Sequence, residues 1–403
     1  MSKHLVMVVN AGSSSLKYQL IDPASGQTHA VGLIERIGPN STHRHTTATG
    51  TVEGARACPD HAVALQIAHD LINKHGPGLD PDDLLAVGHR VVHGGSRFAD
   101  PVVIDDEVRA AIADLSPLAP LHNPGNLQGI EATTLLFPDV PQVAVFDTAF
   151  HQTIPAEAYT YAVPQRWRDE LHVRRYGFHG TSLAFVSRRA AELTGDPIED
   201  LKFVVLHLGN GCSACAVDGG RSVETSMGLS PLEGLVMGTR SGDVDPALGA
   251  YLSRVGECDQ DGYDRALNRE SGLLGLAGVS DLREVQARAD AGDEAAELAL
   301  DVAVHRLVKY IGAYAAVLGR VDGIVLTGGI GEHGTAFRSR LLKRLGLLGV
   351  EIDEEVNAVT HGEARITTDA SRVPVWVIPT NEELEIARQA ADVVRAVEDS
   401  PGA

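Results

Sequence analysis

Two stretches of this chain share one grammar: "LVMVVNAGSSSLKYQLI" near its start and "FVVLHLGNGCSACAV" at mid-chain. Each reads as a buried strand, a turn of Gly, Asn and Ser, then a second strand, which is the pattern of a hairpin. The turn residues are those of a phosphate-binding loop. The spacing is not that of G-x-x-x-x-G-K-[ST], and no helix follows. Two such hairpins half a chain apart predict an internal duplication. At 403 residues the chain exceeds one ordinary core, so two domains are expected.

Between and after the hairpins, helix and strand patterns alternate. "AVALQIAHDLINKHGP" has helical apolar spacing and closes on Lys74, His75, Gly76 and Pro77. "LLAVGHRVVHGG" reads as a strand ending near Arg90 and His93, and "PQVAVFDTAF" as a strand with Asp147 at its carboxyl end. "NPGNLQGIEATTLLFP" is a helix opened by Pro124, and "GTSLAFVSRRAAELTG" one with Thr181 or Ser182 as N-cap and Gly195 as C′. "DEAAELALDVAVHRLVKYIGAYAAVLG" is a long helix feeding the strand "DGIVLTGG" and the helix "TAFRSRLLKRLG"; a last helix begins at "TNEELEIARQ". Such alternation means α/β layers. Residues 39–60 are expected to be a strand-and-loop excursion with His43 and His45 solvated, the H-R-H metal reading standing as its alternative. The tail "VEDSPGA" is expected to fray.

Composition excludes some partners. A formal charge of −20 repels nucleic acid and anionic membranes, and 4% aromatic residues leave little for base stacking. "LVMVV" is too short for a signal-peptide core, and no apolar run approaches the ~20 residues that span a bilayer. A cytoplasmic location is therefore expected. Cys212 and Cys215 form a C-x-x-C, but on a strand their odd separation points them to opposite faces, so packing is expected rather than metal or redox chemistry.

Ligands of α/β proteins sit beyond strand carboxyl ends. There the chain places Asn10, Ser13, Ser15 and Lys17, then Arg90, Asp147, His207, and the Gly209-Asn210-Gly211 turn. Arg240 lies in the Gly-rich "GLVMGTRSGDVDP", and His179 precedes a helix start, where backbone N–H groups attract anions. Together these describe anion cradles with several cations and carboxylates. "GIGEHG", Gly329 to Gly334, matches G-x-G-x-x-G, with Glu351 and Asp353 further on. That leaves a nicotinamide-dependent dehydrogenase open, although little βαβ chain follows the motif. A Gly-rich turn equally lets an adenosine approach the backbone.

"VNAGSSSLKYQL", "GHRVVHGGSRF", "APLHNPGN", "FDTAFHQTIP", "RRYGFHGTS", "HLGNGCS", "TSMGLSPLEGLVMGTRSGDVDP", "GGIGEH" and "IPTNEEL" occur in an order and over a length of chain that resemble the acetate kinase family. The resemblance implies an α/β fold of two duplicated ribonuclease-H-like, actin-like ATPase domains with a nucleotide cleft between them. It implies residues 1–150 as the first domain, joined by a C-terminal helix 383–403. Residues 151–382 would be the second, nucleotide-binding and dimer-forming. The implied reaction is ATP + acetate ⇌ ADP + acetyl phosphate with Mg²⁺ or Mn²⁺, in a cytoplasmic homodimer. Propionate kinases and a non-enzymatic actin-like ATP switch are the alternatives.

The same resemblance implies roles. Asn10 and Glu382 are metal-associated, and Ser13, Ser15 and Lys17 meet ATP. Arg90 binds the substrate carboxylate, and Val92, Leu121 and Pro231 surround its methyl. His179 and Arg240 stabilise the transition state. His207, Leu208, Gly209, Asn210 and Gly211 form the phosphate turn. Asp281, Leu282, Arg283, Gly329, Ile330, Gly331, Glu332 and His333 meet adenosine. His333 stands where the family usually has Asn, and Leu282 where several members carry Phe. Asp147 matches the family's acid/base residue. Because acetate is already ionised near neutral pH, the reading here is that Asp147 positions the metal and its waters. The sequence "TNEE" also predicts a capping box between Thr380 and Glu383, which would leave Glu382 for the metal.

Overall fold

In the computed structural model, which describes residues 4–399, fourteen strands form two sheets. The first holds β1 (Leu5–Ala11), β2 (Ser15–Ile21), β3 (Thr28–Glu35), β4 (Thr42–Thr47), β5 (Gly50–Ala55), β6 (Leu84–Val91), β7 (Val102–Val103) and β8 (Gln142–Phe146). The second holds β9 (Lys202–Leu208), β10 (Cys212–Asp218), β11 (Arg221–Thr225), β12 (Gly323–Thr327), β13 (Ala364–Arg365) and β14 (Val375–Val377).

The expected duplication is in the strand order. The first sheet runs β3-β2-β1-β6-β8 through its middle, and the second runs β11-β10-β9-β12-β14. In both, the first three strands pair antiparallel with their neighbours and the next two continue in parallel. This is one five-strand unit used twice, and it is the ribonuclease-H-like order. Each of the two similar sequence stretches is the first hairpin of its sheet: Asn10 pairs with Lys17 in one, and His207 with Ser213 in the other. The parallel strands β6, β8 and β12 are mostly apolar and, Arg90 apart, buried on both faces, as a helix-covered sheet requires.

The chain divides into two compact units: residues up to Phe150 with those from Asn381 on, and His151–Thr380. The last helix, Glu382–Glu398, lies in the first unit because its small residues fit that sheet. A Cβ on Gly88 of β6 would stand 3.0 Å from Ile386 Cγ2 and 3.3 Å from Ala390 Cβ. The first unit resumes at Asn381, the N-cap of this helix, whose side chain accepts from the Leu384 N–H. That cap replaces the expected Thr380–Glu383 box. Residues 400–403, within the tail expected to fray, lie outside the described residues.

The excursion at 39–60 is more ordered than expected. Its core is the β4–β5 hairpin, and His45 is buried, sharing a 2.8 Å hydrogen bond with the Tyr18 hydroxyl. A strand alternates its faces, so His45 turns to the core while Arg44 turns out to Glu53. Cys212 and Cys215 are free and buried on β10, and burial pushes their thiols up to about 11 and about 12. No helix among the described residues is long and apolar enough to cross a membrane.

Candidate active site

In the first unit, β6 and β8 are adjacent and parallel, and they end together. Arg90 lies opposite Val145, and the Asp147 N–H closes onto the Val91 carbonyl at 3.0 Å. This register brings Arg90 to Asp147, 57 positions apart in the chain. Arg90 Nε donates to Asp147 Oδ1 at 3.0 Å and Nη2 to Oδ2 at 2.5 Å. Glu382 Oε2 stands 3.8 Å from the same guanidinium, placed by the first turn of the last helix. Burial alone would lower the Arg90 pKa; the charges of Asp147 and Glu382 more than reverse this, so Arg90 stays charged. Arg90, Asp147 and Glu382, all named from the sequence, thus form one charge cluster.

The first hairpin turn lies on the neighbouring strand. The Gly12 N–H bonds the Ser15 carbonyl at 2.8 Å, Ile37 N–H bonds Ser14 O at 2.9 Å, and His61 Nε2 donates to Gly12 O at 2.7 Å. Ser13 and Lys17 are exposed, and Asn10 and Ser15 partly so. Val92 is buried just past β6, whereas Leu121 is 62% exposed. His61 was not singled out from the sequence, since nothing local distinguishes a histidine that reaches a turn 49 positions away.

In the second unit, the helix Gly180–Thr194 starts differently from expectation. Its N-cap is His179, at φ 59°, a left-handed conformation uncommon outside glycine. Thr181 and Ser182 lie inside the helix, and Ser182 Oγ bonds His207 Nδ1 and Thr380 Oγ1, each at 2.8 Å. The rings of His179 and His207 stack at 4.2 Å, His179 Nδ1 bonds Ser213 Oγ at 2.9 Å, and Nε2 lies on the side of the Gly211 turn. Arg240 Nη1 donates to the Pro231 carbonyl at 2.6 Å, so Pro231 fixes the arginine through its backbone. Burial lowers the Arg240 pKa, although nothing in the normal range would discharge it. His179 and Arg240 converge on the phosphate-like turn: a Cβ on Gly211 would lie 2.9 Å from Arg240 Nη2 and 3.5 Å from His179 Nε2.

A cavity of about 620 Å³ opens beside that turn, lined by Gly209, Asn210, Ser280, Asp281, Leu282, Arg283, Gly329, Ile330, His333 and Gly334. Eight of these are residues the sequence assigned to ATP; Ser280 and Gly334 are additions. The size suits a nucleoside. Asp281 caps the helix Leu282–Asp290 and holds Arg283 at 2.5 Å. That bond, with the backbone N–H it accepts, lowers the Asp281 carboxyl to about 2. "GGIGEH" forms one short helix, Gly328–His333, rather than opening a dinucleotide βαβ unit. Glu332 does not line the cavity. Its Oε1 accepts from the N–H groups of Gly328 at 3.1 Å and Thr380 at 3.4 Å, bracing the turn from behind.

A model of the acetokinase family matches residues 5–388. Proteins named acetate kinase from Clavibacter michiganensis and Streptomyces avermitilis are 55% and 54% identical, over 96% and 98% of this chain and 98% of each of theirs. The crystal structure of Porphyromonas gingivalis acetate kinase superposes with a TM-score of 0.93 at 40% identity, covering 97% of this chain and 100% of that one. A propionate kinase from Francisella tularensis superposes with a TM-score of 0.90 at 39% identity, covering 98% and 100%. With fold, motif order and near-complete coverage in agreement, this chain belongs to the acetokinase family.

Proposed function

We propose that this chain transfers the γ-phosphoryl group of ATP to acetate, reversibly, giving acetyl phosphate and ADP. The observation that carries this is Arg90, a charged guanidinium held between two carboxylates at a strand end. An ATP switch has no use for it. Asp147 takes the Nε–Nη2 edge, which leaves Nη1 and the second Nη2 hydrogen for the substrate carboxylate. Val92, Leu121 and Pro231 are proposed around the acetate methyl.

The cavity beside Gly209 is proposed for adenosine, with His207 to Gly211 and Ser13, Ser15 and Lys17 toward the phosphates. Acetate arrives ionised, so the obstacle is repulsion between anions, and the chain answers with fixed cations and donors. Arg90 orients the nucleophile for in-line attack. Arg240 and His179 Nε2 face the transferring group. Asp147 is proposed to hold Arg90 and the metal's waters rather than to move a proton.

Family membership brings a divalent metal, and Mg²⁺ is proposed, with Mn²⁺ as substitute. Asn10, Asp147 and Glu382 offer only oxygen donors, which suits a hard cation. Magnesium keeps several waters and takes only one or two carboxylates. When bound, it would lower the charge on the phosphate oxygens. A cytoplasmic homodimer, joined through the second unit, completes the proposal.

ATP, Mg²⁺, acetate and hydroxylamine should yield acetyl hydroxamate, and no colour would favour the switch. Propionate should react too, since one methylene is worth only ~1–3 kcal/mol in a pocket. A kcat/KM for propionate above that for acetate would make this a propionate kinase.

A further inference from the structure

We propose that Asn126 is a positioning residue for this reaction: its buried amide sets the spacing between the first phosphate turn and Arg90. The inference rests on the kinase reading above. β1 and β6 run parallel, and their register ends at the pair Val9–His89. The next residues along each strand are Asn10 and Arg90, so the functional side chains stand where the ladder has stopped.

Asn126 fills the opening. Its Oδ1 accepts from the Val92 N–H at 3.1 Å, and its Nδ2 donates to the Ala11 carbonyl at 2.8 Å. One side chain, 4% exposed, thereby replaces the missing ladder bonds and ties the ends of both strands. The helix that carries it, Asn123–Leu136, is seated against β1 by glycines. A Cβ on Gly125 would lie 2.9 Å from Gly12 C, and one on Gly129 2.5 Å from Ala11 Cβ. The turn is therefore pressed against the helix start, with Asn126 as the spacer. Misplacement by about 1 Å can cost ~100-fold in rate, so a spacer here acts on chemistry without touching substrate.

Asn123 supplies the control. It is fully buried on the same helical turn and bonds the His93 N–H, the His93 carbonyl and the Ile112 carbonyl, none of them on β1. The experiment compares Asn126→Ala, Asn126→Gln and Asn123→Ser in the full chain. It measures kcat/KM for acetate, the Mg²⁺ concentration for half activity, AMP affinity by calorimetry, and Tm. AMP reports the second unit's cavity without the transferring phosphates.

Both Asn126 variants should lose about 10- to 100-fold in kcat/KM for acetate and need more Mg²⁺, with AMP affinity unchanged. Asn126→Gln keeps the amide and lengthens it, so it tests spacing even if Asn126→Ala folds poorly. Asn123→Ser should lower Tm and leave the kinetic constants within about twofold. The inference is overturned if the Asn126 variants keep wild-type kcat/KM, or if Asn123→Ser shows the same kinetic loss. A wild-type chain that makes no hydroxamate would sink the kinase reading instead.

Discussion

Arg90 and Asp147 meet edge to edge at the ends of neighbouring parallel strands, Nε to Oδ1 at 3.0 Å and Nη2 to Oδ2 at 2.5 Å. Asp147 is 1% exposed, and Arg90 sets a positive charge against it. Removing one member of a buried pair costs ~3–5 kcal/mol; here the arginine is partly exposed, so the lower end is expected. Arg90→Ala should lower Tm by several degrees and raise the KM for acetate at least tenfold. Arg90→Ala combined with Asp147→Asn should recover stability but not acetate binding. Thermal melts and initial rates on the three variants test this; recovery of KM in the double variant would remove Arg90 from the carboxylate site.

Gly211 lies where Arg240 and His179 converge. Gly211→Ala should push Arg240 aside and lower kcat by tenfold or more, with the KM for ATP little changed. Arg240→Ala should lose about two or more orders of magnitude in kcat, because an electrostatic contact made to the transition state appears there. Steady-state kinetics at saturating acetate measure both. An unchanged kcat in Arg240→Ala would exclude it from the transferring group.

Glu382 and Glu383 are neighbours with different surroundings. Glu382 reaches the Arg90 cluster, while Asn381 supplies the helix cap in place of a box with Glu383. Glu382→Ala should raise the Mg²⁺ concentration for half activity about tenfold or more, whereas Glu383→Ala should stay within about twofold. A magnesium titration of each variant decides, and the opposite pattern would reverse the assignment.

His89 is buried in the first unit, where its Nε2 donates to Gln142 Oε1 at 2.9 Å. Burial lowers its pKa from 6.5 to about 4, so the native state holds it neutral. The unfolded chain then binds the extra proton, and stability is lost as pH falls from about 6.5 toward 4. A shift of this size is worth about 2–4 kcal/mol. Urea unfolding between pH 7 and 4.5 should show the loss, and His89→Gln should flatten the curve. His151, with a similar burial-driven shift, supplies part of what remains.

Much of the fold was legible in the chain because its signals are local. Period-two and period-3.6 apolar patterns, Gly-rich turns and capping residues marked the hairpins and helices and suggested the duplication. Motif order named the family and supplied the residues proposed for its site. What the sequence could not reveal lies in contacts across long separations. No local signal distinguishes Thr181 from His179 as the helix cap, because the choice depends on Ser182 bonding His207 and Thr380. Nor does one turn Glu332 away from the cavity toward two backbone N–H groups, or bury His45 under Tyr18.

The sequence by itself determined which residue types stand at strand ends, and therefore which chemistry is available. Only the tertiary structure decided which edge of Arg90 is left open and how far β1 stands from β6 beyond their last pair. A hydrogen bond's partner is chosen by position in space, and parallel strands bring together residues that the chain keeps far apart.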